Sequence, residues 1–201
     1  MFNKVGVVSV ANGQAAQSRG TRDGATVIAS ATGKYTEAVR AGRVFVAANQ
    51  AAVALTAAMA TTYTGFVLGN PTVSGVDLIL LRFGFTFTVA VPTAATNIGL
   101  MTGSGASLTG AITARNRFVG GAAAVGLVDD ACTLPGTPVL EQVFCAAGTG
   151  ATTVPLAGSV TEIDLDGSLI LPPGAFVAVY SFAANTACAI FSMIWEECPR
   201  P

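Results

Sequence analysis

Three long stretches of this sequence, residues 44–76, 83–114 and 167–195, contain no charged side chain. They are 33, 32 and 29 residues long, nearly half of the 201-residue chain. Uncharged runs of this length are buried either in lipid or in protein. A membrane-spanning helix needs about 20 consecutive apolar residues and must satisfy its own backbone hydrogen bonds. The run 44–76 is broken by Asn49, Gln50, Gly65 and Asn70-Pro71, and the run 83–114 by Pro92, Asn97 and several glycines. A membrane barrel calls for repeated segments with aromatic girdles, and aromatic residues make up only 7% of the chain. The opening MFNKVGVVSV lacks the apolar stretch and small-residue cleavage pattern of a secretory leader. The expectation is therefore no membrane, with the uncharged surface covered by protein.

Charge economy points the same way. Charged residues are 10% of the chain, whereas a soluble domain carries about 25%. A compact monomer of this mass exposes about 8,700 Å², so one charge serves about 400 Å², too sparse for a freely soluble surface. The charges are also unevenly placed. Residues 1–45 hold Lys4, Arg19, Arg22, Lys34, Arg40 and Arg43 against Asp23 and Glu37, a net of +4. The remainder has a net of −5. With the polar, turn-rich stretch 12–20, this reads as an extended basic N-terminal arm over 1–45 and a globular body over 46–201.

The body reads as β-structure. In Val76–Val91 the rings of Phe83, Phe85 and Phe87 recur at period two, placing them on one sheet face with Gly84, Thr86 and Thr88 on the other. Pro92 is expected to end that strand. Ile163 and Leu165 alternate with Glu162, Asp164 and Asp166; Asp166-Gly167 signals a hairpin, with Ser168–Leu171 as its return strand. Pro172-Pro173-Gly174 is a turn, Phe176–Ser181 a strand, Asn185-Thr186 a turn and Ala187–Trp195 the last strand. The stretch 51–60 is alanine-rich without convincing helix caps. Short strands at regular spacing predict an all-β antiparallel sandwich, with outer faces of Ala, Thr, Gly and Ser.

Candidate chemistry is sparse. The sequence contains no histidine, which excludes His-dependent triads and His-ligated metal centres. No phosphate-binding loop or nucleophile elbow occurs. Glu162, Asp164 and Asp166 would line one strand face about 7 Å apart. A straight row does not converge as a Ca²⁺ site requires, so a solvated face is the main reading and a metal site the weak alternative. Asp129-Asp130 and Glu196-Glu197 read as surface charges, and Trp195 as a core or interface residue. Six basic residues without interleaved aromatics favour docking on an acidic protein surface over nucleic acid. The cysteines at 132, 145, 188 and 198 show no C-x-x-C spacing. They read as reduced thiols, with a Cys132–Cys145 bridge as the alternative.

Two segments then suggest a family. One is Asn49-Gln50-Ala51-Ala52-Val53 with Thr61-Thr62-Tyr63-Thr64-Gly65 and Asn70-Pro71; the other is Leu171-Pro172-Pro173-Gly174-Ala175-Phe176-Val177-Ala178 ending in Trp195-Glu196-Glu197. With Leu134-Pro135-Gly136-Thr137-Pro138 they resemble tailed-bacteriophage virion proteins that decorate and cement the capsid. The resemblance implies a jelly-roll-like body, a homotrimer and a place on the outer capsid surface of the virion after assembly in the host cytoplasm. It implies the major capsid protein as partner, with no cofactor and no catalytic residues. It makes Arg19, Arg22, Lys34, Arg40 and Arg43 the candidate capsid contacts. The alternative is a receptor- or carbohydrate-binding module of a head or tail fibre, against which the single Trp and three Tyr weigh. An enzyme working through carboxylates is the third and least favoured class.

Overall fold

Phe83, Phe85 and Phe87 all pack into one interior, as their alternation requires. Their strand, β6 (Val76–Phe87), lies in a sheet with β11 (Thr161–Leu171), β13 (Asn185–Pro199), β3 (Val44–Ala48) and β8 (Arg115–Asn116), in the order β11-β6-β13-β3-β8. The short β4 (Val53–Leu55) also pairs with β13. A second sheet orders β10 (Val139–Ala147), β7 (Thr96–Ser104), β12 (Ala175–Ser181), β5 (Thr62–Gly69) and β9 (Leu127–Thr133) as β10-β7-β12-β5-β9. All pairings are antiparallel. The two sheets face each other across a shared core, so the expected all-β antiparallel sandwich is the fold.

This computed structural model describes residues 19–20, 26–27, 33–57, 59–87, 96–147 and 161–200. The end of the β6 strand at Pro92 and the polar stretch 12–18 lie outside these residues. The chain divides into two compact units, 1–37 and 38–201. In the first, β1 (Arg19–Gly20) pairs with β2 (Thr26–Val27). A single helical turn, α1 (Thr36–Arg40), spans the division, with Glu37 at its start and Arg40 at its end, where each charge suits the helix dipole. The sequence-based division at residue 45 falls inside β3, whose Val44 and Phe45 are buried. Arg40 and Arg43 thus belong to the second unit.

The core is aromatic at its centre. Phe83 lies 5.7 Å from Phe85, 5.7 Å from Phe144 and 6.1 Å from Phe191, centroid to centroid. Trp195 is fully buried and stacks on Phe45 at 6.1 Å. Burying each such ring contributes about 1.5–3 kcal/mol. Leu78 and Leu80 join the same interior although their parity is opposite to that of the phenylalanines. The reason is a bulge. Ile194 and Trp195 are consecutive in β13, yet they face Arg82 and Leu80, leaving Leu81 as the extra residue that resets the alternation.

Two turn readings need correction. Asp166-Gly167 does not reverse the chain. Both residues adopt positive φ, 49° and 80°, as a hairpin turn would. Here they form a bulge inside β11: Asp164 faces Arg82 and Leu169 faces Leu80, so four residues oppose Leu81 alone. Asn185 and Thr186 are not a turn but the start of β13, which runs on to Pro199. The alanine-rich stretch holds β4 and bends, with no helix among its described residues.

The outer faces also differ from expectation. Tyr63, Val67, Met101, Phe176, Ala178 and Tyr180 lie on the far side of the five-stranded sheet and form a second buried cluster with Leu108 and Leu134 from the connecting segments. That sheet is apolar on both sides, so the chain itself covers part of its uncharged surface. At one end of the sandwich the turns are stapled together. Asn70 Nδ2 donates to the carbonyls of Val76 and Leu171, both at 2.8 Å, and Gly105 N–H donates to Gly174 O at 2.9 Å. Thus Asn70-Pro71 and the Leu171–Ala175 turn, distant in sequence, are neighbours in space.

Candidate functional site

The five basic candidates divide between the two units of the chain. Arg19 is in β1, where its backbone faces Val27; Arg22 lies outside the described residues. Lys34 Nζ sits 5.3 Å from the Tyr35 ring centroid, a cation–π contact. Arg40 closes α1. Arg43 pairs with Glu196 at 3.0 Å and holds the β3 end against β13. Arg43 is therefore engaged within the body, whereas Arg19, Arg22 and Lys34 belong to the first unit.

The carboxylates of β11 do not gather. Glu162 pairs with Arg82 across the strands at 3.0 Å, and the bulge breaks the row before Asp166. Among the described residues no group of three His, Cys, Asp or Glu side chains is placed to hold a metal ion. The Glu162–Arg82 pair is well exposed on both partners and contributes little to stability.

Glu197, read in sequence as a surface charge, is the most engaged carboxylate of the body. It is buried, and its oxygens accept from Val125 N–H at 2.9 and 3.1 Å, Gly126 N–H at 2.9 Å and Trp195 Nε1 at 3.2 Å. It ties the last strand to the segment that enters β9. Asp129 is likewise buried and turns onto the N–H groups of Asp130 and Ala131 at 2.7 and 3.1 Å. Asn49 is a third internal clamp, accepting from Phe191 N–H at 2.6 Å and donating to Ala189 O at 3.2 Å. These roles carry no local signature in the chain beyond the closeness of Trp195 to Glu197.

The Cys132–Cys145 bridge is excluded. Cys132 lies in β9 and Cys145 in β10, the opposite edges of the five-stranded sheet. Four strand spacings separate them, about 19 Å, whereas bridged Cα atoms lie within about 7 Å. Cys132 and Cys198 are free thiols. Burial, with Asp129 and Asp130 nearby, pushes the Cys132 thiol up to about 11. Burial raises Cys198 as well, with Glu196 adding to the shift.

Aromatic platforms are scarce. Trp195, Tyr63 and Tyr180 are all buried; Tyr63 donates its hydroxyl to Val179 O at 2.8 Å. What the body does display is apolar side chains on its two flanks. Val139, Leu140, Val143 and Ile170 are exposed on β10 and β11; Phe118, Val119 and Val125 are exposed in the segment around β8. No helix among the described residues is long and apolar enough to cross a membrane. Compared with known proteins, the chain matches no family model, no curated protein and no solved structure.

Proposed function

We propose that this chain is a structural protein of a phage virion, a decoration or cement protein that binds the outer capsid surface as a homotrimer. The strand order carries this reading. Leaving aside β4, β8 and β9, the sheets read β3-β13-β6-β11 and β5-β12-β7-β10. Every connection between these eight strands changes sheet except β7 to β10. This order supports reading the sandwich as jelly-roll-like, a fold used by viral capsid and lectin domains. A fold alone does not fix a function; the charge-poor body with exposed apolar flanks favours assembly over catalysis. The basic first unit supplies the reach toward an acidic capsid protein, with affinity multiplied when three copies engage together.

A receptor- or carbohydrate-binding role fits less well. Sugar recognition uses exposed indole and phenol rings, and this chain buries its one tryptophan and two of its three tyrosines. The test is cosedimentation with the capsids of the encoding phage. Wild-type protein is expected to pellet with capsids, and the variant R19A/R22A/K34A to lose at least tenfold in affinity. Unchanged binding by that variant refutes the basic contact; binding to a glycan array with no capsid binding selects the alternative.

A further inference from the structure

The two flanks of the sandwich differ in charge while sharing exposed apolar side chains. On one flank both sheets end together. Phe144 of β10 packs on Phe83 of β6, the strand beside β11, so β10 and β11 border the same side. Here Val139 (66% exposed), Leu140, Val143 and Ile170 reach solvent. The strands also carry Glu141, Glu162, Asp164 and Asp166, all exposed. The neighbouring base, Arg82, is paired with Glu162. The opposite flank is bordered by β8 with its surrounding segment 112–126 and by β9, whose Asp129 is buried and whose Asp130 is half-buried. It exposes Phe118, Val119 (94% exposed) and Val125. The charges of that segment are Arg115 and Arg117, both exposed. Of the ten large exposed apolar residues among the described ones, these two flanks hold seven.

We infer that copies of this chain assemble head to tail, the acidic β10/β11 flank of one copy seated on the Arg115/Arg117 flank of the next. Large exposed apolar patches mark contact surfaces, and charge decides which patch meets which. A twofold contact would set like against like: carboxylates on carboxylates, or arginines on arginines, each repulsive. The head-to-tail contact sets acids against arginines and buries apolar side chains from both sides. Such a heterologous contact repeats from copy to copy and closes into a ring when its rotation matches the threefold of the homotrimer reading. This rests on the homotrimer reading and specifies its interface. The contact is made by side chains, not by extending the sheet. The β10 edge carries register breaks at Leu140/Gln142 and at Val143/Cys145, and such bulges hinder addition of a further strand.

The test is mass by light scattering on the full chain. Wild type is expected at three chain masses. The variants V143K/I170K and R115E/R117E, each disabling one flank at exposed positions, are expected at one chain mass with wild-type circular dichroism. Mixed in equal amounts, they are expected to form a species of two chain masses, because each retains the flank the other lacks. A twofold contact gives no such complementation. Wild type at one chain mass overturns the proposal, as does either variant retaining the wild-type mass, or a mixture that stays at one chain mass. Assembly is read by mass and the capsid role by cosedimentation, so failure of one is distinguishable from failure of the other.

Discussion

Replacing Glu197 by alanine removes the acceptor for three N–H groups at once. Val125 is partly exposed, so water can satisfy its N–H after the change. Gly126 N–H and Trp195 Nε1 are buried and are left without a partner. An unsatisfied buried donor costs about 1–3 kcal/mol, so two, with partial entry of water, give about 3 kcal/mol. For a body of this size that is a fall of about 6–12 °C in melting temperature. The conservative E197Q keeps one acceptor oxygen and is expected to lose about half as much. Urea and thermal melts followed by far-UV circular dichroism read both values, and emission from Trp195, the single tryptophan, reports on its surroundings. If E197A unfolds within 0.5 kcal/mol of wild type, Glu197 does not clamp the β9 entry.

Other outcomes follow from the same geometry. Gly65 has φ of 144° and lies beneath the Tyr63 hydroxyl, so G65A is expected to cost more than about 2 kcal/mol in a urea melt, from both strain and collision. Tyr63 and Cys132 both have ionisation raised by burial. The unfolded chain ionises first, so stability is full below about pH 8 and falls as pH rises toward 11. Y63F should cost about 1 kcal/mol for the lost bond to Val179 O but flatten the alkaline fall above pH 10; an unchanged alkaline limb would refute that share. A thiol with its pKa near 11 holds about a hundredfold less thiolate at pH 8 than an ordinary cysteine. Cys132 should therefore react correspondingly slowly with iodoacetamide, as peptide mass spectrometry would show.

The legibility of this fold follows the reach of its interactions. Phe83, Phe85 and Phe87 declared their shared face because strand alternation is a local property. The bulge at Leu81 is set by the register of two neighbouring strands and left no mark in the local pattern. Asp166-Gly167 shows the same limit. Its residues take the backbone angles that their chemistry favours, but whether such a pair reverses a chain or swells a strand depends on the partner, here β6. The apolar outer face of the five-stranded sheet was hidden because Leu108 and Leu134, which cover it, lie in the segments that leave β7 and β9, and the fold-back of such a segment over its own sheet has no periodic signature. Glu197 read as surface because neighbouring acids usually are; its partners Val125 and Gly126 lie about seventy residues earlier. For the proposed site, the uneven charge was visible in sequence. The division of the basic residues between two units, and the engagement of Arg43 by Glu196, were not.

The central claim is that the protein coats a capsid. Its most direct test is the number of copies pelleting with purified capsids of the encoding phage as the protein is titrated. Saturation at a fixed number divisible by three, reversed by excess unlabelled protein, is the predicted result. Capsids that sediment without the protein at micromolar concentration would contradict it.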